Sequence, residues 1–202
     1  IAGGRAEVVL VIGAEQLNHE DRSRPFNALR GSTDIEEIGE SVPGEIAANS
    51  LLMEYYAAVA QNYLDTHNAL ASDFALVAVK NRKHASLNPL AHLRREQTVD
   101  DVLNGRMIVS PLTLAMCSPT TDGAAALVLC SEAYAKRLKS RPLELMTSQI
   151  GPGHSGSSVL RATTAAYAAT GVGPKDFDLI ELHDAAAPAE LQQYSEIGLC
   201  EE

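Results

Sequence analysis

The sequence predicts a mixed α/β fold, and three observations carry that prediction. Four apolar runs of strand length, Val8–Ile12, Ala124–Cys130, Leu143–Gln149 and Asp178–Leu182, alternate with stretches of helical spacing. Glycine and proline punctuate the joins, at Gly3-Gly4, Asp122-Gly123, Arg141-Pro142 and Gly173-Pro174. Hydrophobic residues make up 46% of the 202 positions, ample for a core in one large domain or two small ones. Strands that alternate with helices predict parallel pairing through right-handed crossovers.

The chain opens like the end of a helix, turns through Gly3-Gly4 and enters the first strand; with no initiator Met, it reads as an internal piece of something longer. From Gln16 to Gly44 the periodicity disappears, and a loop or excursion from the core is expected. Glu45 to His67 reads as an amphipathic helix, with Ile46, Leu51, Tyr55, Val59 and Leu64 near helical spacing. A second helix is expected from Ser72, as its cap, to Asn88-Pro89, with Phe74, Val77 and Ala78 on one face. A short helix, Thr98 to Asn104, stops at Gly105. These helices form a candidate inserted subdomain. After the strand that follows Gly123, Ser131 caps a helix to Lys139, and a Gly/Ser loop leads from the third strand into a helix over Val159–Thr170.

The stretch from Gly171 to Cys200 packs a turn, an apolar strand, a polar pair and a helix into thirty residues. Pro188 restarts a helix where it has no N–H to lose. The order is strand, His183-Asp184, helix. A polar residue at the carboxyl end of a strand, facing a helix N-terminus, sits where α/β folds bind ligands. His183 is therefore the first candidate for chemistry, expected to aim its ring into a cleft. The competing reading is that His183 and Asp184 cap the helix that begins near Pro188.

A formal charge of −10 argues against a broad nucleic-acid or anionic-membrane surface. No apolar run approaches the roughly 18 residues of a membrane span. Cys117, Cys130 and Cys200 show neither an even count nor metal-ligand spacing, so reduced structural thiols are expected and no metal site is read. GPGHSGSS, with His154, superficially suggests a phosphate cradle but lacks the P-loop lysine and the dinucleotide fingerprint. Lys80, Arg82, Lys83, Arg94 and Arg95, with His84 and His92 between them, form a basic island. It reads either as a site for a phosphorylated ligand or as a solvated helix face.

DLIELHDAAAPAELQQYSEIGLC resembles the stretch around the HDCF motif of the sterol-carrier-protein type of thiolase and of thiolase-like lipid-transfer proteins. VAVKNRKHASLNPLAHLRREQTVDDVLNGRMIVSPLTLAMCSPTTDGAAALVL is similar to another stretch of that family, in which KN, NP, a short helix, R-x-I and SDGAAA recur in this order. The resemblance implies a thiolase-like fold of layered α/β/α/β/α type. Residues 1–19 and 116–140 would be the end of its N-terminal half, 20–115 an inserted, mainly helical loop domain, and 141–202 the start of its C-terminal half. On that mapping the family's nucleophilic cysteine and its C-terminal histidine segment lie outside these 202 residues, so the piece alone is expected to be inactive.

The resemblance also implies roles. His183 matches the HDCF histidine, which helps hold the thioester oxygen as negative charge develops on it. Ser118 would lie beside the pantetheine of coenzyme A, with some of the basic island, Arg82 and Lys83 first, meeting its phosphates. Coenzyme A enters as substrate or product, and no covalently bound cofactor is expected. Implied partners are an acyl-CoA substrate, a second copy in a homodimer and an auxiliary acyl-CoA-binding subunit, with no nucleic acid and no integral membrane association. The implied setting is cytoplasmic, or peroxisomal in a eukaryote.

One departure matters. Ala185 and Ala186 stand where the family has Cys and Phe, and an alanine cannot move the proton that this cysteine moves. Three readings follow. Another segment supplies the thiol for thiolysis or Claisen condensation, as in ordinary thiolases; the reaction is a retro-aldol cleavage of a 3-hydroxyacyl-CoA, as in steroid side-chain aldolases that resemble this family; or the protein binds acyl-CoA or lipid without catalysis. Tyr194 is a candidate for helping the retro-aldol reaction and equally a packing residue of its helix.

Overall fold

The computed structural model describes residues 1–21, 23–30, 51–139, 141–151 and 157–201. The chain divides into two compact units, Ile1–Ser41 with Pro119–Met146, and Val42–Ser118 with Thr147–Glu202.

The first unit is built on a two-stranded ribbon. Strand β1, Val8–Gln16, pairs with β4, Asp122–Cys130, in an unbroken register from Val8↔Cys130 to Gln16↔Asp122. The pairing is antiparallel, not parallel as the alternation of strands and helices suggested. The reason is topological: the chain leaves at Gln16 and returns at Asp122 on the same end, and a connection that returns to the same end gives antiparallel neighbours. The Asn18 amide donates to Asp122 Oδ1 at 2.7 Å and closes that end. At the other end Ser131 N donates to the Glu7 carbonyl, and Arg137 pairs with Glu7 at 3.1 Å.

Inside the stretch expected to be a loop, Ser23–Arg30 is helical (α1), because Asp21 accepts from both the amide and the hydroxyl of Ser23 and starts the turn. Residues 31–50, which include the start of the expected helix from Glu45, lie outside the described residues. After β4, Ser131 caps helix Glu132–Ala135 as expected, although the regular helix is shorter than the run to Lys139. Leu143–Gln149 forms no strand; among the described residues no neighbouring backbone takes its hydrogen bonds, and an unpaired strand is not stable alone.

The second unit carries the core. Helix α2, Leu51–His67, and helix α3, Ala71–Leu87, pack with a short helix α4, Val99–Leu103, and a final helix α7, Ala187–Glu196. Between α4 and the end of this segment lie β2, Met107–Val109, paired with β3, Leu112–Thr113, and a 3₁₀ turn, Leu114–Met116. Counting Ser23–Arg30 and Glu132–Ala135 as α1 and α5, the helix Ser158–Thr170 is α6.

The α3 face reads Phe74, Ala75, Val77, Ala78, all buried, at the spacing of one helical stripe. Ala57 and Ala60 of α2 and Ala186 and Ala187 join the same cluster. Small residues let these backbones approach closely around Phe74, the largest fully buried side chain of the cluster. The helix starts one residue before the expected cap: Leu70 holds the N-cap position, and its amide donates to the Asp73 carboxylate at 2.8 Å. Thr98, expected as the first helical residue, is instead the N-cap of α4 and bonds reciprocally with Asp101. The buried Thr113 hydroxyl donates to the Val102 carbonyl at 2.8 Å and ties β3 to α4.

Helix α6 ends at Gly171, which takes φ 71°, the left-handed conformation that glycine adopts without steric cost. Gly151 is required for a different reason, since a Cβ there would meet the Ser158 carbonyl oxygen at 2.0 Å. Residues 152–156 of the Gly/Ser loop, including His154, lie outside the described residues. Tyr167 of α6 donates to the Ile197 carbonyl at 2.8 Å and fixes α6 against the end of α7. Among the described residues no helix is long and apolar enough to cross a membrane.

Candidate functional site

The site is assembled where α3 meets the segment that leads into α7. Asp178–Leu182, expected as a strand, has no ladder partner among the described residues. It keeps a strand's alternation nonetheless: Glu181 and His183 are exposed while Leu182 and Asp184 are half-buried. The period-two pattern sends Asp184 toward the helices and His183 away from them.

The four residues from His183 to Ala186 are then held one after another. The Gln193 side-chain amide, nearly two turns into α7, donates to the His183 carbonyl at 2.7 Å. The Asn81 side-chain amide of α3 donates to Asp184 Oδ2 at 2.9 Å. The Ser118 backbone amide donates to the Ala185 carbonyl at 3.0 Å. Ala186 forms an antiparallel bridge with Cys117 and is fully buried. Helix α7 starts directly after, with Ala186 in extended geometry as N-cap and Pro188 in the first turn. No side chain caps that helix. The capping reading of His183 and Asp184 is therefore wrong: Asp184 bonds to Asn81 on another helix, and His183 contributes only its carbonyl.

Behind this segment lies a polar cluster that reading the sequence did not find as a unit. Glu190, in the first turn of α7, is only 3% exposed. Its Oε1 accepts from the Lys80 ammonium and from the Tyr194 hydroxyl, and its Oε2 accepts from Asn81 Nδ2 at 3.1 Å. One Asn81 amide thus bridges two carboxylates, Glu190 and Asp184.

The electrostatics follow from these contacts. Burial pushes the Glu190 carboxyl up, but the hydrogen bonds from Lys80, Tyr194 and Asn81 outweigh it and hold the group below its ordinary value. Burial pulls the Lys80 ammonium down, and its bond to Glu190 more than reverses this. For Asp184, burial raises the carboxyl and the neighbouring Glu190 charge adds to the effect. Burial, then the bond to Glu190, pushes the Tyr194 hydroxyl up. Glu190 is therefore the ionised centre of the cluster, and Asp184 the carboxylate that ionises less readily.

The other expected site residues are placed as follows. Ser118 is exposed, and its backbone joins the 183–186 segment. Tyr194 faces Glu190, not solvent alone. Arg82 Nη1 donates to the Leu93 carbonyl at 3.4 Å, and Lys83 is exposed. Lys80 leaves the basic island, since its ammonium is committed to Glu190. The island also has an acid beside it in space, because Ser86 of α3 donates to Glu96 at 3.0 Å. The His183 ring is exposed and makes no hydrogen bond among the described residues, whereas a cleft was expected. In a sheet, flanking strands would wall such a ring; this segment has none alongside. Cys117 is half-buried with its thiol raised by burial and its Sγ donating to the Thr113 carbonyl, the marks of an unactivated thiol. Among the described residues no group of three or more His, Cys, Asp or Glu could hold a metal ion.

Comparison with known proteins agrees with this architecture. No family model matches the chain. The benzoylsuccinyl-CoA thiolase subunit BbsB of Thauera aromatica is 37% identical over 210 residues, which are 99% of this chain and 52% of that protein. Sterol carrier protein 2 of Bos taurus is 30% identical over 224 residues, 100% of this chain and 40% of that protein. The chain thus spans about half the length, or less, of these curated relatives. Among solved structures, the Ltp2-ChsH2(DUF35) aldolase superposes with a TM-score of 0.74 at 27% identity, over 98% of this chain and 53% of that one. A monomeric sterol-carrier-type thiolase-like protein of Mycobacterium smegmatis has the same fold at a TM-score of 0.66 and 19% identity, over 98% of this chain and 44% of that one. By these relatives and by this fold, the chain is a homologue of thiolases and of sterol carrier protein 2.

Proposed function

We propose that the protein makes or breaks a carbon–carbon bond beside the thioester of an acyl-CoA, with His183 as a donor to the thioester oxygen. The observation that supports it best is the consecutive anchoring of His183 to Ala186 by Gln193, Asn81, Ser118 and Cys117. The anchoring fixes the backbone that carries the ring, and the imidazole nitrogens bond to no described residue, which leaves an N–H to donate to an oxygen on which negative charge develops. Ser118, whose amide meets the same segment, is the candidate neighbour of the pantetheine; Arg82 and Lys83 are the candidates for the phosphates.

The preferred reaction is thiolysis of a 3-oxoacyl-CoA, or the reverse condensation, in keeping with the thiolase subunit that is 37% identical to the chain. A second reading, retro-aldol cleavage of a 3-hydroxyacyl-CoA, is favoured by the absence of a thiol at Ala185 and by the likeness to an aldolase. One relative is named as a subunit and one structure as a pair of proteins, which supports an auxiliary subunit as partner here.

The test is to incubate the native protein with a 3-oxoacyl-CoA plus CoA, and separately with a branched 3-hydroxyacyl-CoA. Thiolysis consumes the first pair only, retro-aldol cleavage the second only. His183→Ala is expected to lower kcat by about 10²–10³. Its exposed ring packs against little, so the melting temperature should stay unchanged. Turnover of neither substrate, with binding of acyl-CoA retained, would leave a binding protein.

A further inference from the structure

The cluster behind the site raises a question of its own: why a chain that could fill the α3–α7 contact with an apolar side chain buries a carboxylate there instead. Replacing a buried ion pair by well-packed apolar residues is often neutral or stabilising, so stability is a weak reason for keeping one. Orientation is a stronger one. Lys80 and Tyr194 both bond to Glu190 Oε1, which fixes the plane of the carboxylate and turns Oε2 to Asn81. Asn81 Nδ2 has two hydrogens, and its two neighbours, Glu190 Oε2 at 3.1 Å and Asp184 Oδ2 at 2.9 Å, are both acceptors. An amide flipped to present its oxygen would face two carboxylates, so only one orientation is allowed. That orientation holds Asp184, and the alternation of the backbone then sends His183 the opposite way.

We infer that Glu190 is a positioning residue for His183, acting through Asn81 and Asp184 while Lys80 and Tyr194 hold its own carboxylate still. It touches no substrate, since it is only 3% exposed and three of its roughly four acceptor directions are taken by the protein's own donors. The inference deepens the proposed function and rests on it for its kinetic readout, but not for its structural one.

The experiment is Glu190→Gln in the native protein. A glutamine that keeps its oxygen toward Lys80 and Tyr194 turns its NH₂ toward Asn81, donor against donor, and Asp184 is released. With 3-oxoacyl-CoA plus CoA, or with the 3-hydroxyacyl-CoA if that is the substrate, kcat should fall about 10–10²-fold with KM changed little. The His183 ring resonances, followed by NMR with labelled histidine, should shift in the same variant. Asp184→Ala cuts the link one step nearer His183 and should reproduce both effects. The double variant should be no worse than the worse single one, because the two residues act in series.

If His183→Ala leaves turnover intact, the proposed function fails, whatever Glu190 does. If His183→Ala abolishes turnover while folded Glu190→Gln keeps full kcat and unshifted His183 resonances, the function stands and this inference is overturned. Should Glu190→Gln not fold, Asp184→Ala decides alone: unchanged kcat and unshifted resonances there overturn it equally. Additive losses in the double variant do so too.

Discussion

The two units of the chain treat the same apolar residue types in opposite ways. In the first, the ribbon of β1 and β4 leaves Ile12 65% exposed and Leu10, Leu127 and Val128 more than half exposed, although its ladder is complete over nine residue pairs. In the second, Phe74 is 0% exposed, surrounded by alanines from two other segments, and even a glutamate is buried. Hydrogen bonds order the first unit; packing and an ion pair order the second. The difference teaches that a strand's sequence specifies its pairing edge more strongly than its cover, whereas an alanine-rich helix face specifies a close neighbour at once.

The comparison is broken or sharpened most strongly in the core. Phe74→Ala should cost the second unit about 3–5 kcal/mol, since it removes the largest fully buried side chain of the core cluster and leaves a cavity there. Ile12→Ala on the ribbon should stay within about 0.5 kcal/mol, as for other exposed positions. Urea unfolding followed by helical circular dichroism reads the first, and hydrogen exchange of the β1 and β4 amides reads the second. Equal losses would mean that the ribbon's apolar faces are not open to water.

That contrast also explains what was legible in the sequence. Helices α3, α6 and α7, the cap Ser131 and the stop at Asn88-Pro89 are set by neighbours within four residues, and the sequence displays them directly. His183 was reached from its place between an apolar run and a helix start, and Ser118 and Tyr194 through motif resemblance; the structure joins Ser118 to the 183–186 segment by one hydrogen bond and turns Tyr194 to Glu190. The cluster around Glu190 was not legible because its members read as other things when taken singly. Lys80 looks like part of a basic run, and Glu190 like an acid placed to suit a helix N-terminus. Their pairing spans 110 residues, a separation at which local pattern carries no signal. The antiparallel ribbon was missed for a related reason: alternation of strands and helices speaks to sequence order, and not to the end at which a long excursion returns.

The ion pair makes the next largest prediction, and its sign depends on which group titrates. Glu190 is held below its ordinary 4.5, so its contribution is complete above that value and is lost as pH falls through the lower folded value. Lys80 is held above 10.5, so its contribution is complete below 10.5 and is lost as pH rises through the higher folded value. Asp184 runs the other way. Its carboxyl is raised above 3.8, so the folded state keeps that proton longer and stability rises as pH falls through the raised value. On acidification the second unit should first gain slightly as Asp184 protonates, then lose as Glu190 does. Asp184→Asn should remove the initial gain and leave the later loss, read as urea midpoints across pH. A lone acid loss in both proteins would show that Asp184 ionises as an ordinary carboxyl.

A smaller effect than those in the core belongs to a place in the second unit where backbone conformation, not packing, sets the requirement. Gly171 ends α6 at φ 71° and ψ 6°, its amide donating to the Tyr167 carbonyl at 2.8 Å. A Cβ added there meets nothing within 4 Å, so substitution is opposed by the left-handed conformation alone. Gly171→Ala should therefore cost about 1 kcal/mol, and Gly171→Asn less, because asparagine visits this region more readily. Gly151 supplies the control. There the backbone is not strained in this way, but the Ser158 carbonyl oxygen occupies the space of a side chain, so alanine and asparagine should be equally harmful. Thermal melts of the four variants separate the two causes: a difference between Ala and Asn at 171, and none at 151. Equal losses at 171 would mean that a steric contact, and not the sign of φ, decides that position.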